Sequence, residues 1–500
     1  MTRLAPLAAL SALVVAPRAA AQASFFPIPL PPGGTESRAT ACSADGSTVV
    51  GCAVVANLFQ PMRWDVERGT VQLGPIQGGL SGCVMGVSSD GQTAVGWGVS
   101  PTVVATSVAW PNGESAAVDL GVDPDVAFLS VTASDASANG AVVVGTDWDD
   151  PYVWTASTRR THVPAMFTIL AVTDDGRHVF GAASGVPTNA GLGAASWDAN
   201  QGVTLLDPVL MPPAFRTEVR ACSPDGRFLL GEASYSSARR LVRWVDLGPS
   251  ELLPLGPGAT SSWRAFAGGI SADGSTVVGR EGPSGSSAFR ATLWTPALGT
   301  VLLRDHLVAL GADGLADYRL LSALGISDDG NAIVGVAERV DTPGRDVAYV
   351  AYLETPTFAI GRAECTGGPP TSSGFSARLI AVGSAEAAAN DVTLVAQRLP
   401  EGAVGTFLCS RTPGLVTDPG ASQGTLCLGG AIGRFTAPGE VFLAGPGGEA
   451  RLRIDVNALP EAGATVAALP GETWRFQAWF REPGPPSGTN FTSSMAWAVE

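Results

Sequence analysis

The apolar positions of this chain recur in a fixed frame around an Asp-Gly step. In Gly269-Ile270-Ser271-Ala272-Asp273-Gly274-Ser275-Thr276-Val277-Val278-Gly279, two short apolar runs flank a polar turn, the pattern of a β-hairpin. Six further copies are anchored on Asp45, Asp90, Asn139, Asp175, Asp225 and Asp329, each followed by glycine. Two residues before each anchor stands a hydroxyl: Ser43, Ser88, Ser137, Thr173, Ser223, Ser271 and Ser327. Six residues after it stands a glycine: Gly51, Gly96, Gly145, Gly181, Gly231, Gly279 and Gly335. The Asp-Gly step predicts a tight type I′ turn, and the hydroxyl can bond the amides of that turn. The later glycine predicts a bulge or a close approach of another backbone. Four residues before the anchor the side chain is small in six copies, and Asp135 breaks the rule in the third.

Beyond each hairpin a second apolar run closes on an aromatic, Trp64, Trp110, Trp154, Trp197, Trp244 and Trp294, with Tyr349 or Tyr352 in the last copy. A turn and another short strand follow, so each repeat is four strands. Anchors lie 36 to 56 residues apart, a period that suits propeller blades better than β-helix coils or helical repeats. The expected fold is all-β, a seven-bladed β-propeller over residues 24–358 followed by a C-terminal β-sandwich over residues 375–500. Small side chains then belong on the innermost strands, which crowd the axis. The prolines of Phe25 to Leu30 restrict that stretch to an edge strand, and it is expected to close the ring against residues 347–353. Residues 359–374 read as a linker, richest in Gly, Pro and Ser from Thr366 to Gly374, crossed by few contacts and separating two independent domains.

Composition adds an address. Among 500 residues there are 62 Gly and 37 Pro, all 30 basic residues are arginine, and the formal charge is −15. No basic footprint exists for a nucleic-acid backbone, so no nucleic-acid partner is expected. Arg3, the apolar run Leu4 to Ala16 and the small-x-small step Ala21-Gln22-Ala23 form a signal-peptide pattern over residues 1–23. The product should be secreted, extracellular or periplasmic. No later apolar run reaches spanning length, so no integral membrane segment is expected. Oligomeric state is not written in the sequence. The seven cysteines of an exported chain suggest disulfides. Cys52 lies seven residues after one anchor and Cys83 seven before the next, which puts them at the same end of neighbouring repeats as a candidate pair. Cys42 and Cys222 share one position in repeats that are not neighbours and should stay apart. Cys365, Cys409 and Cys427 allow three single pairings.

At Gly269 to Gly279, followed by Ala288-Phe289-Arg290-Ala291-Thr292-Leu293-Trp294, the repeat resembles the HAF repeat of exported bacterial proteins, with Ser287 in place of its histidine. The resemblance covers roughly residues 36 to 353. It implies an extracellular repeat protein and brings no catalytic residues. Ser422 to Phe435 and Trp474 to Glu482 look like a C-terminal domain found on many secreted bacterial proteins. In those related domains cysteines occupy the positions of Cys365 and Cys427, which implies that pair and leaves Cys409 free. A weaker likeness to the sialidase Asp-box lacks its closing tryptophan, and no glycosidase activity is carried over.

The turn carboxylates sit on separate repeats and do not converge on one ion, so turn geometry accounts for them. The densest carboxylate group is Asp147-Trp148-Asp149-Asp150, whose spacing matches no calcium loop and reads as a solvated acidic loop. Neither metal nor cofactor is expected. The three histidines share no motif. Trp97 and Trp148 follow the hairpin glycine on loops of adjacent repeats, where their faces could stack on sugar rings or a partner surface. The gap from hairpin glycine to blade aromatic varies in length, and variable loops on a rigid scaffold are where recognition sits. The candidate ligand site is therefore Trp97, Trp148, Asp147, Asp149 and Asp150, on the face opposite the Asp-Gly turns, with no catalytic residue assigned. The expected function is non-enzymatic binding of an extracellular glycan or protein. The alternative is a carbohydrate-active hydrolase or lyase using acidic residues on the loop face, which needs two carboxylates about 5 to 10 Å apart.

Overall fold

A computed structural model describes residues 23–500 except 67, 76–78, 100–104, 112–115, 122–130, 148–149, 185–190, 207–213, 313, 355, 357–358, 366, 373–375, 446–447, 462 and 484–487. The expected signal peptide, but for Ala23, lies outside the described residues. The fold is all-β. Among the described residues the repeats form seven four-stranded antiparallel units, the first made of Gly34–Cys42, Thr48–Val55, Leu58–Asp65 and Gly69–Gln72; the fourth, fifth and sixth are joined into one twelve-stranded sheet by single parallel bridges, Leu192 to Arg216 and Arg239 to Arg264. The seventh takes Tyr318–Ile326, Ala332–Arg339 and Asp346–Tyr352 from its own repeat and its fourth strand, Ser24–Pro27, from the N-terminus. Ser24 stands opposite Tyr352 and Pro27 opposite Tyr349. A helix not signalled by the strand pattern, Leu303–Ala309, precedes the seventh unit and accounts for the longest anchor spacing.

All seven turns are built alike. Ser271 Oγ donates to Asp273 Oδ1 at 2.7 Å, the same Oδ1 accepts the Ser275 N–H at 2.9 Å, and Ser271 Oγ accepts the Thr276 N–H at 3.0 Å. The turns at Asp45, Asp90, Asn139, Asp175, Asp225 and Asp329 repeat these three bonds. None of the anchors has a positive φ, and only the following glycine does, at 65° to 76°. The turn is therefore a type I turn closed by a left-handed glycine, not the expected type I′, because the carboxylate must fold back onto the amide two residues on. Type I′ geometry occurs instead at the uncapped Ala56-Asn57, with φ of 50° and 64°.

The turns also bond to one another. Ala44 N–H donates to Ser89 O, Asp90 to Ala138, Ala138 to Asp174, Asp174 to Pro224, Ala272 to Asp328, and Asp328 back to Ala44, all at 2.8 to 3.1 Å. The step from the fifth turn to the sixth is missing because Pro224 has no N–H to give.

The recurrent glycine meets a bulge in every unit. The innermost strand gains one unpaired residue immediately opposite it, at Thr40, Met85, Ser134, Leu170, Arg220, Gly268 and Leu324. A Cβ on Gly51, Gly181 or Gly335 would run into the carbonyl oxygen of Arg38, Thr168 or Ser322. Both readings of this glycine, bulge and close approach, describe one feature. Trp64, Trp110, Trp244 and Trp294 are buried and Trp154 and Trp197 half-buried between strands. In the seventh unit Tyr349 and Tyr352 take their place, bonding Ser322 O and, across to the first unit, Gly46 O.

The C-terminal part forms two main sheets that share one apolar cluster, including Leu379, Leu394, Phe407, Phe476 and Trp497. The stretch expected as linker begins as strand: Ala359–Ile360 pairs with Val382 and Ala381, and Arg362–Cys365 pairs with Ser494–Ala498. The expectation of few contacts across it also fails. Phe26, Ile28, Trp64 and Tyr352 form a single cluster with Val382, Val395 and Ile380, and Arg451 Nε donates to Val66 O at 3.0 Å.

Candidate ligand face and central channel

The innermost strands of the seven units converge at their turn ends on a channel of about 190 Å³. Ala41, Gly86, Ala221, Gly269 and Gly325 line it, with Asp135 where a small residue is otherwise the rule. Asp135 is used structurally: Oδ1 accepts the Ala136 N–H at 2.8 Å and Oδ2 the Val172 N–H at 3.0 Å, tying the third unit to the fourth. Burial outweighs these bonds and pushes its pKa up to about 7. Asp328 is raised to about 6 by burial and by the charges of Asp174 and Asp329. Asp174 accepts a hydrogen bond from Ser89 Oγ at 2.5 Å. Cys42 and Cys222 also line the channel as free thiols, both pushed up by burial. Among the described residues no group of three or more His, Cys, Asp or Glu could hold a metal ion. Ligand sites usually occupy about 300 to 1,000 Å³, so this channel is a packed axis rather than a cleft for a sugar chain.

The other end of the units is different. One step beyond the recurrent glycine, the residues seven before and seven after each anchor face each other across the first two strands. The pairs are Arg38 with Cys52, Cys83 with Trp97, Thr132 with Thr146, Thr168 with Ala182, Glu218 with Glu232, Phe266 with Arg280, and Ser322 with Val336. The constant glycine lies next to this rung on one side, yet the rung holds a disulfide, a tryptophan, two arginines, two glutamates and a phenylalanine. Cys52 and Cys83 are bonded across the first two units. Cys365–Cys427 is the second disulfide, and Cys409 is a buried free thiol. Arg38 pairs with Asp346 at 2.7 Å and lies 5.9 Å from the Phe59 ring centroid. Arg239 pairs with Glu232 at 2.6 Å, while Arg216 and Arg220 both pair with Glu218. Arg239 and Arg280 lie over the Phe266 ring at 4.7 and 4.9 Å.

Of the site read from the sequence, Trp97 is half-buried and meets Phe59 edge-on, with ring centroids 6.5 Å apart. Asp147 is buried in an ion pair with Arg160, whose guanidinium covers the Tyr152 ring at 3.9 Å. Asp150 is paired with His162 Nδ1. Trp148 and Asp149 lie outside the described residues. The arginine and aromatic cluster around Phe266 went unread in the sequence. Its signal was the residue beside the recurrent glycine, which changes from repeat to repeat while the glycine does not.

No protein-family model matches the chain, and no curated protein matches it. Among solved structures it is similar to TolB from Acinetobacter baumannii, at 14% identity, covering 62% of this chain and 80% of that one, with a TM-score of 0.35. It is similar to oligogalacturonate lyase from Vibrio parahaemolyticus, at 12% identity over 67% of this chain and 98% of that one, TM-score 0.42. The β-propeller domain of the Trilobed protease from Pyrococcus furiosus is 9% identical, over 65% of this chain and 97% of that one, TM-score 0.43.

Proposed function

We propose that the seven units are the blades of one closed β-propeller, that residues beyond it form a β-sandwich docked on the first and last blades, and that the whole is a secreted, non-enzymatic binding protein. The circle of turn-to-turn hydrogen bonds, interrupted only at Pro224, supports the closed ring. The Cys52–Cys83 and Cys365–Cys427 disulfides and the signal pattern support export. The repeat resembles that of exported HAF-repeat proteins in the same way.

One observation carries the binding reading: the acidic turns are consumed by turn geometry, while the varied, half-exposed aromatic and charged side chains gather on the opposite rung. Trp97, Phe59 and Arg38 form one such surface there. Asp147 and Asp150 border this face through their partners Arg160 and His162. The partner is an extracellular glycan. A glycan array with the purified chain from Ser24 onward tests this; reproducible binding weakened by Trp97→Ala supports it, and no binding to any glycan overturns it. The carbohydrate-active alternative, with acidic residues on the loop face, would draw on Asp147 and Asp150, which pair there with Arg160 and His162. Release of reducing ends from a bound glycan, lost in Asp150→Asn, would favour it.

A further inference from the structure

The guanidinium of Arg280 differs from those around it on the rung. Arg38, Arg216, Arg220 and Arg239 each have a carboxylate partner, supplied by Asp346, Glu218 or Glu232. Arg280 has none among the described residues. Its guanidinium lies 4.9 Å from the Phe266 centroid and 4.8 Å from the Phe289 centroid, two rings that meet edge-on at 5.4 Å. Nη1 reaches Ser322 Oγ of the next unit at a long 3.4 Å, and Nε is buried without a hydrogen-bond partner. Five guanidiniums in this cluster face three carboxylates, which leaves two positive charges uncompensated. Burial depresses the Arg280 pKa; the nearby charge of Glu232 works against that, and those of Arg38 and Arg239 add to it. Arginine nevertheless stays charged, so a desolvated, unpaired cation is being kept at a cost.

We propose that Arg280, on the sixth unit where it meets Ser322 of the seventh, binds a carboxylate of an acidic glycan, a chain of uronic acids. This rests on the reading of this face as the glycan-binding one. The half-buried guanidinium is a planar fork whose terminal nitrogens suit a carboxylate, and the two flanking rings hold it rigid before the ligand arrives. A sugar rather than an acidic peptide is favoured by the loop that carries Phe289. The loop between Gly282 and Phe289 exposes Ser284, Ser286 and Ser287, short hydroxyls suited to sugar hydroxyls. Trp263, under Arg290 at 4.6 Å, offers a half-exposed aromatic surface beside them.

The test is calorimetric titration of the purified chain with a mannuronate hexasaccharide, its fully methyl-esterified form and a glutamate hexapeptide. Arg280→Gln, Arg280→Lys and Trp97→Ala are carried alongside, and each variant's melting transition is recorded. The acid form should bind and the ester should not. Arg280→Gln should weaken binding at least tenfold while leaving the melting transition unchanged or raised, and Arg280→Lys should retain part of the affinity, which falls steeply with salt. Equal binding of acid and ester, or wild-type affinity in Arg280→Gln, overturns the carboxylate site while leaving a glycan-binding face in place. Binding of the peptide but not the hexasaccharide overturns the glycan assignment. If neither acid nor ester binds and the array is blank as well, the parent reading falls with it.

Discussion

The guanidinium of Arg398 donates through Nη2 to the carbonyl oxygen of Phe25 at 2.7 Å, joining residues 373 positions apart. It also lies over the Phe26 ring, 5.1 Å from the centroid, with Arg378 at 4.5 Å. The strand that completes the last unit is thereby gripped by the C-terminal part, so completion of that unit and docking of that part are coupled. Phe25 is fully buried beside Tyr318 and Tyr349, with centroids 5.2 and 5.6 Å away. Phe25→Ala should cost about 3 to 5 kcal/mol. Arg398→Met should cost about 1.5 to 3 kcal/mol, the range for a hydrogen bond to a charged group. Denaturant unfolding should be a single transition in the parent chain and separate into two in these variants; two transitions already present in the parent would refute the coupling.

The glycine facing each bulge makes a sharper prediction about sequence tolerance. A Cβ on Gly335 would strike the carbonyl of Ser322, whereas one on Gly285 would meet nothing within 4 Å. Gly335→Ala should therefore destabilise by about 3 kcal/mol, as overpacking of backbone against backbone does. Gly285→Ala has only its φ of 78° against it and should cost about 1 kcal/mol. Urea midpoints of the two variants decide the matter, and equal losses would mean that the bulge can relax.

Much of this was legible before any coordinates. The hydroxyl, anchor and glycine positions belong to local geometry, which a single repeat encodes completely. The rung that carries Arg280 is not local, because its neighbours Ser322 and Arg38 come from other units and only the tertiary fold brings them together. The docking of the C-terminal part did leave a trace. In Arg378–Gly383, Leu379 and Ala381 enter one cluster while Ile380 and Val382 enter another. A strand apolar on both faces is covered on both faces, and an independent sandwich would have alternated. The Gly, Pro and Ser content of residues 366–374 masked that signal, since such composition reads as a hinge even where it packs. Gly367 and Gly368, for example, lie against Thr492 and Asn490.

Asp135 should give the protein a pH dependence of unusual sign. Burial raises its folded pKa from 3.8 to about 7. The unfolded chain therefore releases this proton near pH 4 while the folded chain holds it, and the folded state binds more protons throughout the window between. Stability from this residue is highest below about pH 4 and declines as pH rises toward about 7. Asp328, raised to about 6, contributes in the same direction. Asp135→Asn removes the first contribution, and with one acceptor oxygen it keeps only one of the bonds from Ala136 and Val172. The variant should be less stable than the parent at pH 4 and approach or overtake it at pH 8. Melting temperatures in parallel across that range test it, and curves that stay parallel would show that Asp135 is ionised in the fold.

The Cys52–Cys83 disulfide closes a loop with a sequence separation of 31 and joins the first two units at the rung where Trp97 and Arg38 sit. On chain-entropy grounds a loop of this length is worth about 3 to 4 kcal/mol. Both cysteines are buried, so replacing them with serine would add a desolvation cost of its own. Alanine at both positions is the cleaner probe. The double Cys→Ala variant should lose about 3 kcal/mol by urea denaturation under oxidising conditions, and the parent should lose the same amount on reduction. The effect on recognition should be separable from this. Trp97 stands opposite Cys83 and rests on Phe59, so loosening the pair should weaken glycan binding by Trp97 more than it weakens uronate binding at Arg280, which lies in the sixth unit. Equal losses at both places would mean that the rung responds as one rigid ring rather than unit by unit.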